Sequence, residues 1–296
     1  EKTVEPGIGQ VVLTLGDGES MPLKRDTNRL IFGGTMLQVR NERGTLVYSK
    51  IKSKEASEKI VYNTLTVPVR ERFQLVLADG TKVFLNSGSE MRYPERFGKA
   101  RREVFLKGEA WFEVAKDSAR EFWVHAGAMD VKVLGTSFNV KAYERLETVA
   151  TTLVEGSVEV ACAGKSFQIV PGEQFVYDKN NRVMDVRMVD TESYVSWKDG
   201  YYKFRQTTLE EIMETLSVWY GLNVFYVNES AKQVEFTGKV KRYEDARMLL
   251  DKFEQTGDVV FDIKGNNVFI TIKQKKPFAR EWNSFLVKAR GMVWQS

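Results

Sequence analysis

The 296-residue chain contains a single cysteine, Cys162, and a single histidine, His125. One cysteine cannot close a disulfide within the chain, and the apolar neighbours of Cys162 favour a small buried side chain. Zinc sites need several cysteine or histidine ligands, and catalytic triads need a histidine with converging partners, whereas His125 lies in a strand-like segment. The sequence therefore predicts no metal, no cofactor and no redox role.

The sequence also lacks a long apolar run. A membrane-spanning helix needs roughly 18 consecutive apolar residues, and neither such a run nor a signal peptide is present. We therefore expect a soluble piece, with any membrane anchor upstream of Glu1. The formal net charge is only +4 and acids alternate with bases, which argues against the clustered basic surface of a nucleic-acid-binding protein.

The first two thirds of the chain consist of short runs rich in Val, Ile, Phe and Tyr, separated by turn residues. Pairs such as Asp79-Gly80 are typical of tight hairpin turns. The pattern predicts a mainly β protein whose residues 1–198 form a layered antiparallel β domain, a sandwich or roll of hairpins. The charged segment from Glu42 to Lys59 has few large apolar residues and is expected to be a loop.

The last third has a different pattern. Thr208 and Glu211 are typical of a capping box at the start of a helix. Strand-like and helix-like segments follow in the order β-α-β-β-α-β-β, which predicts a small α+β domain at residues 199–273 with its helices on one face of a sheet. The tail, residues 274–296, has aromatic residues but no evident partner, and its structure and role stay open.

No convergent set of catalytic residues stands out. Asp79, Glu109 and Glu113 could supply the carboxylate pair of a glycosidase, although Asp79 also suits a turn and the two glutamates also suit solvent-facing strand positions. Five aromatic residues could form a ligand platform, but filling the space between sheets is the commoner role; they are Trp111, Phe112, Phe122, Trp123 and Phe138. We therefore expect a non-enzymatic protein, the alternative being a carbohydrate-binding or carbohydrate-active β protein.

Several strings of the sequence resemble the periplasmic domain of FecR-like anti-sigma factors. They are LADGTKVFLNSGSEMRYPERF, REVFLKGEAWFEVAKD, VKVLGTSFNVKAY, TTLVEGSVEV and VPGEQFVY, in this order. The strings WKDGYYKF, LEEIMETLSVWYGLNVFY and FTGKV resemble the C-terminal domain that accompanies it, which is similar to the short signalling domains of secretins and TonB-dependent transporters. The resemblance extends over about residues 11–272.

The resemblance implies a relay. It implies that the chain is the periplasmic domain of an inner-membrane protein, namely the sensor part of a transmembrane anti-sigma regulator. The implied partner of this domain is the periplasmic signalling domain of a TonB-dependent outer-membrane transporter. The inner-membrane helix and the cytoplasmic region that holds an extracytoplasmic-function sigma factor are expected to lie outside this sequence. The transported substrate (an iron chelate or a glycan), the identity of the sigma factor and the oligomeric state stay open.

We expect the C-terminal unit to make the partner contact, because a small sheet with a free edge can receive a partner strand. The candidate partner-binding residues lie on its predicted strands; they are Tyr202, Phe204, Val224, Phe236, Val268 and Ile270.

Gly135-Thr136 carries a second hypothesis, taken from the resemblance. Some relatives are cut at a Gly-Thr bond through attack of the threonine hydroxyl on the preceding carbonyl carbon, a reaction that needs a strained peptide and an oriented hydroxyl. The simpler interpretation is a glycine that permits a bend and a threonine that favours a strand. Both interpretations stay open at this point.

Overall fold

The computed structural model describes residues 9–23, 29–32, 37–42, 45–50, 60–242 and 245–273. Strands β1 to β18 precede the first helix; they are Val11–Thr14, Ser20–Leu23, Arg29–Phe32, Leu37–Glu42, Thr45–Lys50, Tyr62–Thr66, Phe73–Val76, Lys82–Leu85, Glu90–Pro94, Arg102–Glu113, Phe122–Ala126, Met129–Val133, Ser137–Ala142, Thr148–Glu155, Val158–Cys162, Lys165–Ile169, Glu173–Asp178 and Val183–Met188. The mainly β prediction is confirmed. One detail is wrong, since β5 lies inside the segment 42–59 that was expected to be a loop.

These strands form two sheets. The first sheet has the order β2-β1-β6-β9-β10-β11-β12-β15-β16, and the second has the order β3-β4-β5-β7-β8-β10-β13-β14-β17-β18. Neighbours are antiparallel except for the pairs β10–β11 and β5–β7. The predicted sandwich of hairpins is therefore present.

Strand β10 belongs to both sheets. Its first half, to Lys107, pairs with β9 and β11, and its second half, from Gly108, pairs with β8 and β13. Gly108 marks the corner, with φ of +107° and with Ser89 so close that a Cβ would lie 2.7 Å from its Cα atom. Only glycine combines this backbone angle with this contact.

The core between the two sheets is aromatic and aliphatic. Phe112 of the second sheet stacks on Phe138 at 5.2 Å and meets Phe122 of the first sheet edge-on at 6.2 Å. All three side chains are fully buried. Three of the five aromatic residues considered as a ligand platform are thus core residues, as the commoner interpretation predicts.

A short connector leads to the second unit. Helix α1 is Thr191–Val195, and a 3-10 turn at Ser196–Asp199 follows it. The second unit consists of β19 (Tyr201–Thr208), α2 (Leu209–Tyr220), β20 (Asn223–Tyr226), a 3-10 turn (Glu229–Gln233), β21 (Glu235–Lys241), α3 (Ala246–Glu254), β22 (Val259–Lys264) and β23 (Asn267–Ile272). The predicted element order is confirmed.

The sheet of this unit differs from the expectation. Its strands form two sheets, a two-stranded pair β19-β21 and a three-stranded sheet β20-β23-β22. Phe253 of α3 contacts Phe204 and Phe236 of the pair, while α3 also lies against β22. Helix α2 likewise lies against β19 of the pair and β20 of the three-stranded sheet. Each helix therefore contacts both small sheets, and the expectation of helices on one face of a single sheet is wrong.

Candidate partner-binding edge and domain interface

The most open strand of the second unit is β21. Within the described ranges it pairs with β19 alone, and five of its seven residues are exposed. Two hydrogen bonds flank the β19–β21 pair, from Leu209 N to Val234 O and from Arg242 N to Gly200 O. Because main-chain direction alternates along a strand, the N–H and C=O groups of the even-numbered β21 residues point toward β19. The N–H and C=O groups of the odd-numbered residues consequently point outward; these are Glu235, Thr237, Lys239 and Lys241.

The charge along this edge is mainly positive. Lys239 and Lys241 lie on β21, and Arg205 of the neighbouring β19 lines a groove with Lys239. No carboxylate of the described part of the chain lies within 4.0 Å of these three cationic groups. Glu235 is the one acidic residue of the strand.

A fourth cation beside this edge is neutralised. Lys203 of β19 donates a hydrogen bond to Glu192, and its ammonium group lies 3.0 Å from a carboxylate oxygen of Asp190. These contacts raise the pKa of Lys203, and the same hydrogen bond lowers the pKa of Glu192. Asp190, the N-cap of α1, and Glu192 thus contact the cation of β19. Lys239 of β21 also interacts electrostatically with Glu192, at a distance greater than 4.0 Å.

The candidate partner-binding residues lie mostly in the core of the second unit. Tyr202, Phe204, Phe236, Val268 and Ile270 are buried and Val224 is half-buried. Strand β23, which holds Val268 and Ile270, is paired on both sides. Strand addition there is blocked, whereas Phe236 lies on the open strand. The partner contact of these six residues stays a prediction, and in this structure their side chains serve the core.

The two units meet at the end of helix α2. Ser87, in the turn after β8, donates from its hydroxyl group to the carbonyl oxygens of Val218 and Trp219 at 3.2 and 3.3 Å. Arg70 N also donates to Trp219 O, at 3.1 Å. The last carbonyl groups of a helix have no partner inside it. The first domain therefore supplies part of the C-terminal cap of α2.

A buried polar network lies beside this contact. Glu109 of β10 accepts hydrogen bonds from the side-chain amides of Asn86 (2.7 Å) and Asn139 (2.9 Å), and Asn139 accepts one from the Trp197 indole at 3.3 Å. Burial raises the pKa of Glu109 in spite of the nearby Lys141. The network links the second sheet to the connector that leads into the second unit.

Apolar side chains and ion pairs complete the interface. Trp111, on the outer face of β10, belongs to the hydrophobic cluster of the second unit together with Trp197. Lys141 and Glu214 approach to 3.7 Å. The second unit thus covers the outer face of the second sheet, which explains why β10 is buried on both faces after Gly108. A cavity of about 180 Å³ remains between the two bodies.

Gly135 and Thr136 lie between β12 and β13. A Cβ at Gly135 would lie 2.8 Å from the Cα atom of Lys116, and the Thr136 hydroxyl group donates to the carbonyl oxygen of Ser157 at 3.1 Å. Close approach of the backbone thus accounts for the glycine, and Gly135 and Thr136 are not among the residues with positive φ. Self-cleavage stays a hypothesis, which this hydroxyl geometry does not favour.

Trp123 lies outside both cores, on the outer face of the first sheet. It stacks on His125 at 6.2 Å, His125 stacks on Phe105 at 4.9 Å, and the Lys132 ammonium group lies over the Trp123 ring at 5.6 Å from its centroid. A sugar platform offers open aromatic faces, whereas here the rings stack on one another and Trp123 has a lysine over its ring. The row does not favour the carbohydrate alternative.

The remaining chemical candidates have structural partners. Asp79 forms a buried ion pair with Arg102 at 2.8 Å, and Glu113 lies 3.6 Å from Lys82. Cys162 is buried, and burial raises the pKa of its thiol. The described segments contain no group of three or more potential metal ligands. In the same segments, no helix has both the length and the apolar character that crossing a membrane requires.

The comparisons with known proteins agree with this architecture. Residues 63–159 match the family described as FecR protein, and residues 201–270 match the family described as FecR, C-terminal. These two ranges hold the central strands of the sandwich and nearly all of the second unit. A comparison with curated proteins gives no match.

Two similar solved structures, at 1.65 and 2.50 Å resolution, come from Parabacteroides distasonis ATCC 8503 and are described as those of a candidate anti-sigma factor. The first has 27% sequence identity and a TM-score of 0.65 and covers 71% of this chain and 99% of its own. The second has the same identity and TM-score and covers 72% of this chain and 100% of its own. With both matched domains in order, this chain belongs to the FecR-like anti-sigma factors and has the role of an anti-sigma regulator.

Proposed function

We propose that the chain is the periplasmic sensor region of an inner-membrane anti-sigma regulator, and that it relays the state of a TonB-dependent outer-membrane transporter to an extracytoplasmic-function sigma factor. The relay works by protein contact and needs no turnover. The open edge of β21 is the observation that supports this proposal most directly. A free edge gives affinity through main-chain hydrogen bonds, and neighbouring side chains give specificity.

The domain interface supports the relay as well. A partner strand on β21 acts on β19, which follows the connector directly, and Trp197 of that connector is hydrogen-bonded to Asn139 in the sandwich. Ser87 joins the same sandwich to the end of α2. A displacement of the second unit therefore either breaks these contacts or moves the sandwich residues that form them.

The test is calorimetric titration of the chain with the purified periplasmic signalling domain of its cognate transporter. The Lys239→Pro variant removes an outward N–H group without removing a β19–β21 hydrogen bond, and Lys239→Ala is its matched control. We expect the proline variant to lose measurable binding and the alanine variant to bind within about fivefold of the wild type, since it loses at most one charge pair. Binding that survives the proline substitution would exclude the β21 edge, and a chain that binds no such domain would refute the relay.

A further inference from the structure

We propose that the segment received by β21 is an acidic strand, with carboxylates at alternate positions and apolar residues between them. This inference rests on the proposed strand addition and specifies the chemistry of its partner. It follows from two properties of the edge. Its outer face has lysines with no carboxylate within 4.0 Å among the described residues, and its inner face borders the apolar core.

The outer face selects carboxylates. The odd-numbered residues of β21, whose main-chain groups point outward, would form hydrogen-bonded pairs with an antiparallel added strand. The Cβ atoms of such a pair lie about 5 Å apart. Lys239 and Lys241 are two such residues, and their exposed side chains lie on the face that Lys203 shares. Asp190 and Glu192 contact Lys203, and Glu192 also accepts a hydrogen bond from the Tyr201 hydroxyl group at 3.0 Å. The Lys239 ammonium group lies over the Tyr201 ring, 3.6 Å from its centroid. Residues at positions i and i+2 of the partner thus meet two cations with no carboxylate within 4.0 Å in the described structure.

The inner face selects apolar residues. Phe236 is 7% exposed and Val240 is half-buried, and both belong to the second cluster or lie against it. Gly238 lies between them, and a Cβ there would meet nothing within 4 Å. The alternate side chains of an added strand project to this face. They extend the cluster past its present edge, and the gap at Gly238 leaves room for a branched side chain.

Lysines on an edge strand also have a general role, since they discourage pairing with other chains. The two roles differ in their consequences. A lysine that only blocks the edge repels every strand, and its removal favours binding of any peptide. A lysine that selects a partner favours carboxylate peptides over neutral ones, and its removal abolishes that preference.

The experiment uses three synthetic heptapeptides, Thr-Glu-Val-Glu-Val-Glu-Thr and its analogues with Gln or Lys in place of Glu. Each is titrated into the full isotope-labelled chain, and backbone amide shifts of residues 235–241 are followed by NMR. We expect the Glu peptide to bind about tenfold more tightly than the Gln peptide, since each opposite-charge pair contributes up to about fivefold. The Lys peptide should be the weakest of the three.

The variant Lys239→Glu/Lys241→Glu keeps the backbone and should reverse this order, with the Lys peptide binding best. Glu229→Lys, a charge change on the exposed 3-10 turn, is the control and should leave the order unchanged. The inference is wrong if the Gln and Glu peptides bind equally, if neither binds, or if the double variant keeps the wild-type order. These outcomes are separate from the calorimetric test, since the chain can prefer acidic strands and still fail to bind a transporter domain.

Discussion

Removal of one hydroxyl group at the domain interface tests whether the first domain caps helix α2 of the second unit. Ser87 is fully buried and its hydroxyl group donates to the last carbonyl groups of α2. It also accepts a hydrogen bond from Arg70 N at 2.9 Å, but Arg70 N keeps Trp219 O as a second acceptor. Ser87→Ala therefore leaves the carbonyl of Val218 without this donor and costs about 1–2 kcal/mol of unfolding free energy.

A loss of this size lowers the midpoint of thermal unfolding by about 2–8 °C for a chain of this size. Urea unfolding followed by tryptophan fluorescence measures the loss of unfolding free energy, because Trp111, Trp197 and Trp219 all belong to the hydrophobic cluster of the second unit. Ser20→Ala is the matched control, since the exposed hydroxyl group of Ser20 is hydrogen-bonded to that of Thr14 at the surface. It should change the free energy of unfolding by less than about 0.5 kcal/mol. A Ser87→Ala effect no larger than that of the control would refute the capping role of the first domain.

Three further substitutions test the fold and the buried network. Asp79→Ala leaves the Arg102 guanidinium buried without its carboxylate partner, and urea unfolding should show a loss of about 3–5 kcal/mol; a loss below about 1 kcal/mol would contradict the buried pair. Gly108→Ala should cost more than about 2 kcal/mol in the same assay because the corner of β10 has no room for a Cβ, and Gly127→Ala, in open space at φ of +63°, should cost about half as much or less. Burial raises the pKa of Glu109 above its ordinary 4.5, so the native state favours the protonated form. The contribution of this group to the free energy of unfolding is therefore complete below pH 4.5, and it is lost as the pH rises through the raised pKa. Glu109→Gln should remove this fall in unfolding free energies measured from pH 4 upward, and an unchanged pH profile would show that the group titrates normally.

Local sequence signals predicted the second unit well. The Thr208 hydroxyl group accepts from Glu211 N at 3.3 Å as the capping pattern requires, and Gly221 ends α2 with φ of +69°. The element order needed no knowledge of distant contacts, because each helix start and strand end has its own local chemistry. The division of the strands into two sheets did need it, since strand pairing joins residues far apart in sequence.

The aromatic residues show what a residue-by-residue interpretation misses. Trp111 and Trp123 both lie on strands of the sandwich with alternating neighbours, yet Trp111 belongs to the second hydrophobic cluster and Trp123 lies on an outer face. The two-residue period of a strand indicates that its faces differ, but it does not indicate which face another unit covers. Glu109 was assigned to solvent for the same reason and is instead buried in the interface.

The sequence predicted a free sheet edge in the C-terminal unit but not which strand offers it, and the partner contact itself stays a prediction. The sequence indicated that the C-terminal unit offers a sheet edge, and the string FTGKV, which includes Lys239, was part of the resemblance. The apolar strand residues chosen as contacts face the core instead. Apolar character marks burial, and at an edge strand the groups open to a partner are the main chain and the exposed polar side chains.

The sequence by itself determined the strand-rich character, the hairpin turns, the order of elements in the second unit and the family motifs, because these depend on short-range periodicity and on turn and cap chemistry. Only the tertiary structure decided that β10 turns a corner at Gly108, that the second unit covers the second sheet, and that β21 keeps an open edge lined by Lys239 and Lys241. Those features depend on which distant segments meet, and a pattern of neighbouring residues does not contain that information.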